Sequence, residues 1–218
     1  MSASLSADLI AALSAEGAST RLKAAMALGS RADPSLLETL VARCAVEPDF
    51  YVRDMLTWAL TRLPAELAVP RLIAELSSQS AQARSQALHT LSKIKDASAY
   101  RAITPSLLRD ADDDVARSAW RAAVALVPDG QKHELAAELA SQLGRGSREV
   151  QLSLSQALIA LGAEVAEAVL RRAQGSRTPA VRLHASATQR LLRDPNAGFE
   201  LALHEAKRQF VLGKDRKA

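Results

Sequence analysis

Side chains capable of chemistry are scarce in this chain, and their spacing removes most of them from consideration. The four histidines, His89, His133, His184 and His204, are widely separated, and none is paired at the spacing of metal ligands on one helix face. His133–Glu134 and His204–Glu205 each lack the second histidine that a zinc-protease helix requires. Cys44 is the only cysteine, which excludes a disulfide framework and a cysteine-based metal site. It falls in the apolar run LLETLVARCAV and reads as a buried, inert thiol. No serine occupies a nucleophile elbow, and no glycine-rich loop follows a strand to cradle phosphate. Gly144-Arg145-Gly146 reads as an inter-helix turn whose glycines supply positive φ. The sequence therefore predicts no catalytic residue, no metal and no cofactor. One juxtaposition could still support catalysis: Asp54 and Trp58, four residues apart, are neighbours on a helix.

The elements that position these residues announce themselves by repetition. One phrase returns as TRLKAAMALG from Thr20, VRDMLTWALTRL from Val52, ARSQALHTLSKI from Ala83, VARSAWRAAVAL from Val115, VQLSLSQALIALG from Val150 and VRLHASATQRLL from Val181. Arg21, Arg53, Arg84, Arg117, Gln151 and Arg182 hold equivalent places, spaced 32, 31, 33, 34 and 31 residues apart. A period in the range of about 20–50 residues marks a solenoid in which each unit is too small to bury its own core. Each unit reads as two helical stretches, and nothing reads as a strand. Asp49 is placed to cap a helix running to about Leu63, which Pro64 stops, with Pro70 in the first turn of the next helix. The third unit predicts a helix over Ala81–Ile94, then Pro105 in the matching place. The fourth opens on DADDDVARSAW and breaks at Pro128–Asp129–Gly130; the fifth breaks at Gly162 and the first at Gly29. The expected organisation is an N-terminal capping helix in 1–17, a solenoid over 18–210 closed by a helix from Phe199 to Phe210, and a basic, disordered tail over 211–218.

Composition agrees. Apolar residues make up 48% of the chain and aromatics 3%, which suits closely packed Ala-, Leu- and Val-rich helices. The net charge is +4, from 28 basic and 24 acidic residues, a milder excess than the dense basic stripe of duplex-DNA proteins. The N-terminus has no basic n-region and Asp8 interrupts its apolar stretch, so it is not read as a signal peptide. No stretch approaches a membrane span, and the expected location is the cytoplasm.

These units resemble HEAT repeats, specifically the short variety named after the phycobilisome lyases, with the signature VRxxAAxALGxIGDxxAVPxLIxAL. Val52–Arg53, Ala59–Leu60 and Val69–Pro70–Leu72 match it in one unit; Val150, Ala157–Leu158 and Leu161–Gly162 match it in another. The chain is also similar to small actinobacterial HEAT-repeat proteins. The resemblance implies an all-α fold, a right-handed α-solenoid of about six helical hairpins, and says little of activity, because the signature residues are those that hold repeats together. It implies that the recurring Arg ties one unit to the next. The spacing of Asp49 to Arg53 and of Asp113 to Arg117 adds an expected same-face ion pair within each helix.

In such repeats the Arg-bearing helix lines the concave face, with positions one, two, five and nine after the Arg turned into the groove. The helical wheel agrees, since those four fall opposite the apolar positions three, six, seven and ten. The groove is thereby expected to hold Asp54, Met55, Trp58 and Arg62, then Gln86, His89 and Lys93, and Gln156, with Tyr51 at the rim. The fourth unit leaves its register open. Counting from Arg117 turns Trp120 inward, and a shift of one sends Arg121 into the groove. We read Trp120 as core and include Arg121 in the groove.

An aromatic, Met and Arg/Lys floor is what partner-binding surfaces hold. The expected function is a non-enzymatic scaffold or adaptor whose groove binds an acidic peptide or protein. Two alternatives stay open: a nucleic-acid-binding protein or alkylpurine DNA glycosylase, which share the architecture, and a small-ligand sensor.

Overall fold

The computed structural model describes residues 2–194, with side chains from residue 7; the expected closing helix over 199–210, the tail over 211–218 and His204 lie outside the described residues. The chain divides into two compact units, Met1–Leu126 and Val127–Ala218. Among the described residues there is no strand, and the fold is an all-α arrangement of helical hairpins.

In the first unit the helices are α1 (Ser2–Ala12), α2 (Ala18–Arg31), α3 (Leu37–Cys44), α4 (Phe50–Thr61), α5 (Ala65–Glu75), α6 (Ala81–Ile94), α7 (Pro105–Leu108) and α8 (Asp113–Leu126). The repeated phrase falls on α2, α4, α6 and α8, which pack in that order as in a solenoid, each preceded in its hairpin by one of the other helices. Their inward positions carry the core: Leu28, Leu56, Leu60 and Leu91 are all buried, and Leu88, four after Arg84, is buried with them. Each fully buried leucine contributes about 1.5–3 kcal/mol relative to exposure. Trp120 is 0% exposed and donates its Nε1–H to the Leu108 carbonyl at 2.8 Å, so it is a core residue of α8. Arg121, its neighbour, is exposed.

The second unit contains α9 (Lys132–Ala140), α10 (Arg148–Ala160), α11 (Ala163–Gln174) and α12 (Pro179–Arg193), two hairpins around Leu139, Leu154, Leu158 and Leu170. The Gly144–Gly146 turn has φ of 87° and 69° at its two glycines, as the sequence predicts.

The recurring Arg has one main task. Its Nη1 donates to the carbonyls six and five residues earlier: Arg21 to Ala15 and Glu16, Arg53 to Glu47 and Pro48, Arg84 to Ser78 and Gln79, Arg182 to Ser176 and Arg177. Gln151 imitates this with one bond to the Gly146 carbonyl. The side chain thus closes the loop that leads into its own helix by donating to carbonyls of that loop; the Glu47 carbonyl also accepts from Gln82 Nε2 at 2.8 Å. Two of these arginines also tie units together, Arg21 to Glu47 at 2.8 Å and Arg84 to Asp110 at 3.0 Å. Hydroxyl pairs 33 residues apart add further links: Thr57 to Thr90 at 3.3 Å, Ser85 to Ser118 at 2.9 Å and Ser155 to Thr188 at 2.7 Å.

Three local expectations are corrected. Asp49 does not pair with Arg53; it caps α4 by accepting from the Val52 N–H, while Arg53 is occupied by carbonyls. Pro70 lies inside α5, not in its first turn, because the helix begins at Ala65. Gly29 does not break α2, which runs on to Arg31 and ends with Ala32 in the left-handed region. Gly29 serves close approach instead: a Cβ there would lie 2.5 Å from the Trp58 ring and 2.8 Å from the Ala59 Cβ.

Candidate functional site

The first unit carries an open trough of about 460 Å³ across the first turn of α4 and the first three turns of α6 and α8. α4 contributes Phe50, Arg53 and Asp54; α6 contributes Gln82, Ser85, Gln86 and His89; α8 and its cap contribute Asp112, Asp114, Arg117, Ser118 and Arg121. α4 and α6 run in one direction, since Asp54 meets His89 and Thr57 meets Thr90 further along both helices, and Ser85 of α6 meets Ser118 of α8. Side chains at matching turns therefore meet in rows.

Of the sequence-predicted groove residues, Asp54, Gln86, His89 and Arg121 line this trough together. Met55, Trp58, Arg62 and Lys93 lie further along the same helices and are not part of its lining. Trp58 is 39% exposed, with one edge against Gly29 and the Arg62 guanidinium 5.9 Å from its ring centroid. It is at once a packing residue between α2 and α4 and a partly exposed ring. Tyr51 is 71% exposed and meets Phe50 edge-on, with ring centroids 5.5 Å apart. Gln156 is exposed on α10 in the second unit. The residues missed from sequence are Phe50, Arg53, Gln82, Asp112, Asp114 and Arg117. They stand at or before the repeated Arg, where a wheel counted onward from that residue does not reach. Phe50, 64% exposed beside Tyr51, was the one legible signal.

The charges alternate. Arg53, Arg117 and Arg121 face Asp54, Asp112 and Asp114, so the lining is balanced when His89 is neutral. Burial pushes the His89 imidazole below its ordinary range; Arg121 and Lys93 push the same way, and Asp54, 3.9 Å from Nε2, pulls weakly back. Asp112 is occupied as the cap of Val115, and Asp114 lies 3.6 Å from Arg117. Arg121 makes two bonds of 3.3 Å, from Nε to the Arg117 carbonyl and from Nη2 to Ser118 Oγ. Although the residue is exposed, its partial enclosure by the trough and then the adjacent Arg117 weaken its hold on its proton, and Asp114 offsets them.

A second polar cluster lies wholly within the second unit. His184 is buried; its Nδ1 accepts from the Gly144 N–H at 3.0 Å, which leaves the ring proton on Nε2, facing the Gln151 carbonyl at 2.9 Å and Ser155 Oγ at 3.0 Å. A protonated Nε2 cannot take a proton from Ser155, so this serine–histidine contact is not an activated nucleophile. Burial lowers the His184 pKa to about 4. Cys44 is likewise inert, its thiol pushed up to about 12 by burial. Among the described residues, no group of three His, Cys, Asp or Glu is arranged to hold a metal ion, and no helix is long and apolar enough to cross a membrane.

Comparison with known proteins agrees with the repeat architecture. A family model of HEAT repeats matches residues 37–125, the stretch from α3 through α8 that includes the trough, so this part of the chain consists of HEAT repeats. No curated protein matches the chain's sequence. Among solved structures it is similar to the complex of CpcE and CpcF of phycocyanin lyase from Nostoc sp. PCC7120, at 19% identity and a TM-score of 0.48, over 93% of this chain and 86% of that one. It is similar to human deoxyhypusine hydroxylase in complex with glycerol, at 16% identity and a TM-score of 0.47, over 94% and 95% of the two chains. An engineered protein matches at 20% identity and a TM-score of 0.46, over 86% and 96%. Likeness at this level carries nothing about what the chain binds.

Proposed function

We propose that the chain is a non-enzymatic interaction scaffold, and that the trough of α4, α6 and α8 holds a segment of a protein partner, with the partner's acidic groups turned toward Arg121 and, beyond the trough along the same helices, toward Lys93 and Arg62. The observation that carries this reading is the state of Arg121. It is an exposed guanidinium with five donors, of which two make long bonds to neutral acceptors. The exposed Phe50–Tyr51 pair beside the trough supports it, because solvated aromatic pairs next to a concave polar floor are typical anchors for a partner.

The balance of three arginines against three aspartates speaks against a phosphate backbone, which needs an excess of cations to displace its counterions. It speaks equally against an apolar small ligand, since the lining is charged and open. For a protein segment the mixture is useful, because alternating charges set register and reject wrong partners.

The test is affinity capture with the wild-type chain against Phe50→Ser, Arg62→Ala and Arg121→Gln, followed by titration of the captured partner at two salt concentrations. Each variant is expected to weaken capture while the far-ultraviolet circular dichroism and melting stay unchanged. Capture that survives all three variants would sink the reading. Trp58→Ala is a poor probe, because loss of the ring also removes packing against Gly29.

A further inference from the structure

We propose that Arg121, with His89 beside it in the trough lining, forms a carboxylate-binding subsite that receives one glutamate or aspartate side chain of the bound partner. The inference rests on the trough being the partner site and adds the chemistry of one contact within it. Arg121 projects from the third turn of α8 with both of its bonds at 3.3 Å and both to neutral oxygens. A guanidinium prefers a bidentate carboxylate at about 2.7–2.9 Å, so its present partners leave most of its donor capacity unused.

The carboxylates of the surrounding lining do not fill the place. Asp112 caps α8, Asp114 is turned to Arg117 at 3.6 Å, and Asp54 faces His89 from α4 at 3.9 Å. Lys93 stands one turn beyond His89 on α6, and Arg117 one turn before Arg121 on α8. The groups facing His89 are therefore Asp54 from α4, Lys93 from its own helix and Arg121 from α8. An incoming carboxylate between Arg121 and His89 would relieve the repulsion that both cations impose on the imidazole. It would also favour the imidazolium, which gives the subsite a signature that a merely structural arginine lacks.

A carboxylate suits this place better than a phosphate. One guanidinium with a neutral imidazole can balance a single negative charge, whereas the three nearby aspartates would repel a doubly charged or polymeric anion.

The experiment is a nuclear magnetic resonance titration of the full chain with a capped five-residue peptide carrying a single glutamate, acetyl-Ala-Ala-Glu-Ala-Ala amide, as the probe. Inorganic sulfate and an eight-residue oligothymidylate serve as comparisons. The expected result is saturable movement of the His89 ring and Arg121 side-chain signals, with His184 in the second unit unmoved. The His89 titration midpoint should rise by half a pH unit or more when the peptide is saturating. Arg121→Gln should weaken peptide binding tenfold or more, and Arg121→Lys should restore part of it. Equal peptide binding by Arg121→Gln, or an unmoved His89 midpoint, would overturn the proposal. Tighter binding of sulfate or oligothymidylate than of peptide would overturn it in favour of a phosphate site. If the natural partner is lost with Phe50→Ser but kept with Arg121→Gln, the trough stands and only the subsite fails. If neither variant matters, both fail.

Discussion

Glu47 is the place where the packing account is most exposed to measurement. Its carboxylate is 0% exposed and accepts from Arg21 at 2.8 and 2.9 Å, from Arg43 at 2.5 and 3.0 Å and from the Asp49 N–H at 2.9 Å. Burial alone would push this carboxyl up; the hydrogen bonds from Arg21, the Asp49 N–H and Arg43 overcome it and hold the pKa at about 2, against an ordinary 4.5. At about 1.4 kcal/mol per pH unit, that displacement corresponds to about 3 kcal/mol of stability when the group is ionised. Because the folded value is the lower one, the contribution is complete above about pH 4.5 and is lost as the pH falls toward 2. Glu47→Gln keeps the shape, removes the charge and leaves two guanidinium groups without their counter-ion. Urea unfolding at pH 7 should show a loss of about 3 kcal/mol for the first unit, in line with the cost of breaking a buried pair. At pH 3 the wild-type chain retains about one pH unit of the effect, so the gap should shrink to about 1.4 kcal/mol. A variant within about 0.5 kcal/mol of wild type at pH 7, a change typical of ordinary surface sites, would refute the stabilising role of the buried Glu47 carboxylate. So would a gap of equal size at both pH values.

Three other outcomes follow from particular contacts. Gly29→Ala places a methyl group 2.5 Å from the Trp58 ring and 2.8 Å from the Ala59 Cβ, so it should cost about 1–3 kcal/mol and shift tryptophan emission to the red as Trp58 is displaced. Trp120→Phe removes the donor to the Leu108 carbonyl and should cost about 1–3 kcal/mol by thermal unfolding, with binding at the trough unchanged. His184 is held neutral with a pKa near 4, below its unfolded value of about 6.5, so the stability it contributes is complete above pH 6.5 and is lost as the pH falls toward 4. His184→Leu should abolish that pH dependence, measured by hydrogen exchange in the second unit, while costing stability through the orphaned Gly144 N–H.

The repeat, and with it the helices, was legible because its apolar positions recur with helical period and its caps are short polar residues. Ala81–Ile94 was read to its ends for this reason. Gly29 was misread because glycine usually ends helices, whereas here a tryptophan one repeat away needs the missing side chain. No local rule contains that contact. The Asp49–Arg53 pair failed similarly: spacing alone satisfied it, but the loop carbonyls competed for the arginine and won. In the trough, counting from the repeated Arg found His89, Gln86 and Asp54, whose positions the helical wheel fixes. It missed Phe50, Asp112 and Asp114, which stand before the Arg, where loop geometry decides direction. The choice between Trp120 and Arg121 depended on which neighbour could donate to a buried carbonyl, and the Leu108 contact decides it.

The proposed partner segment crosses α4, α6 and α8 at the mid-trough position of Gln86. The most direct measurement places the photo-reactive residue p-benzoylphenylalanine at Gln86 and, separately, at Glu66 on α5, which does not line the trough. Irradiation in the presence of the captured partner should yield an adduct from position 86, mapped by mass spectrometry to a segment bearing glutamate or aspartate, and none from position 66. An adduct from position 66 with none from position 86 would contradict the account.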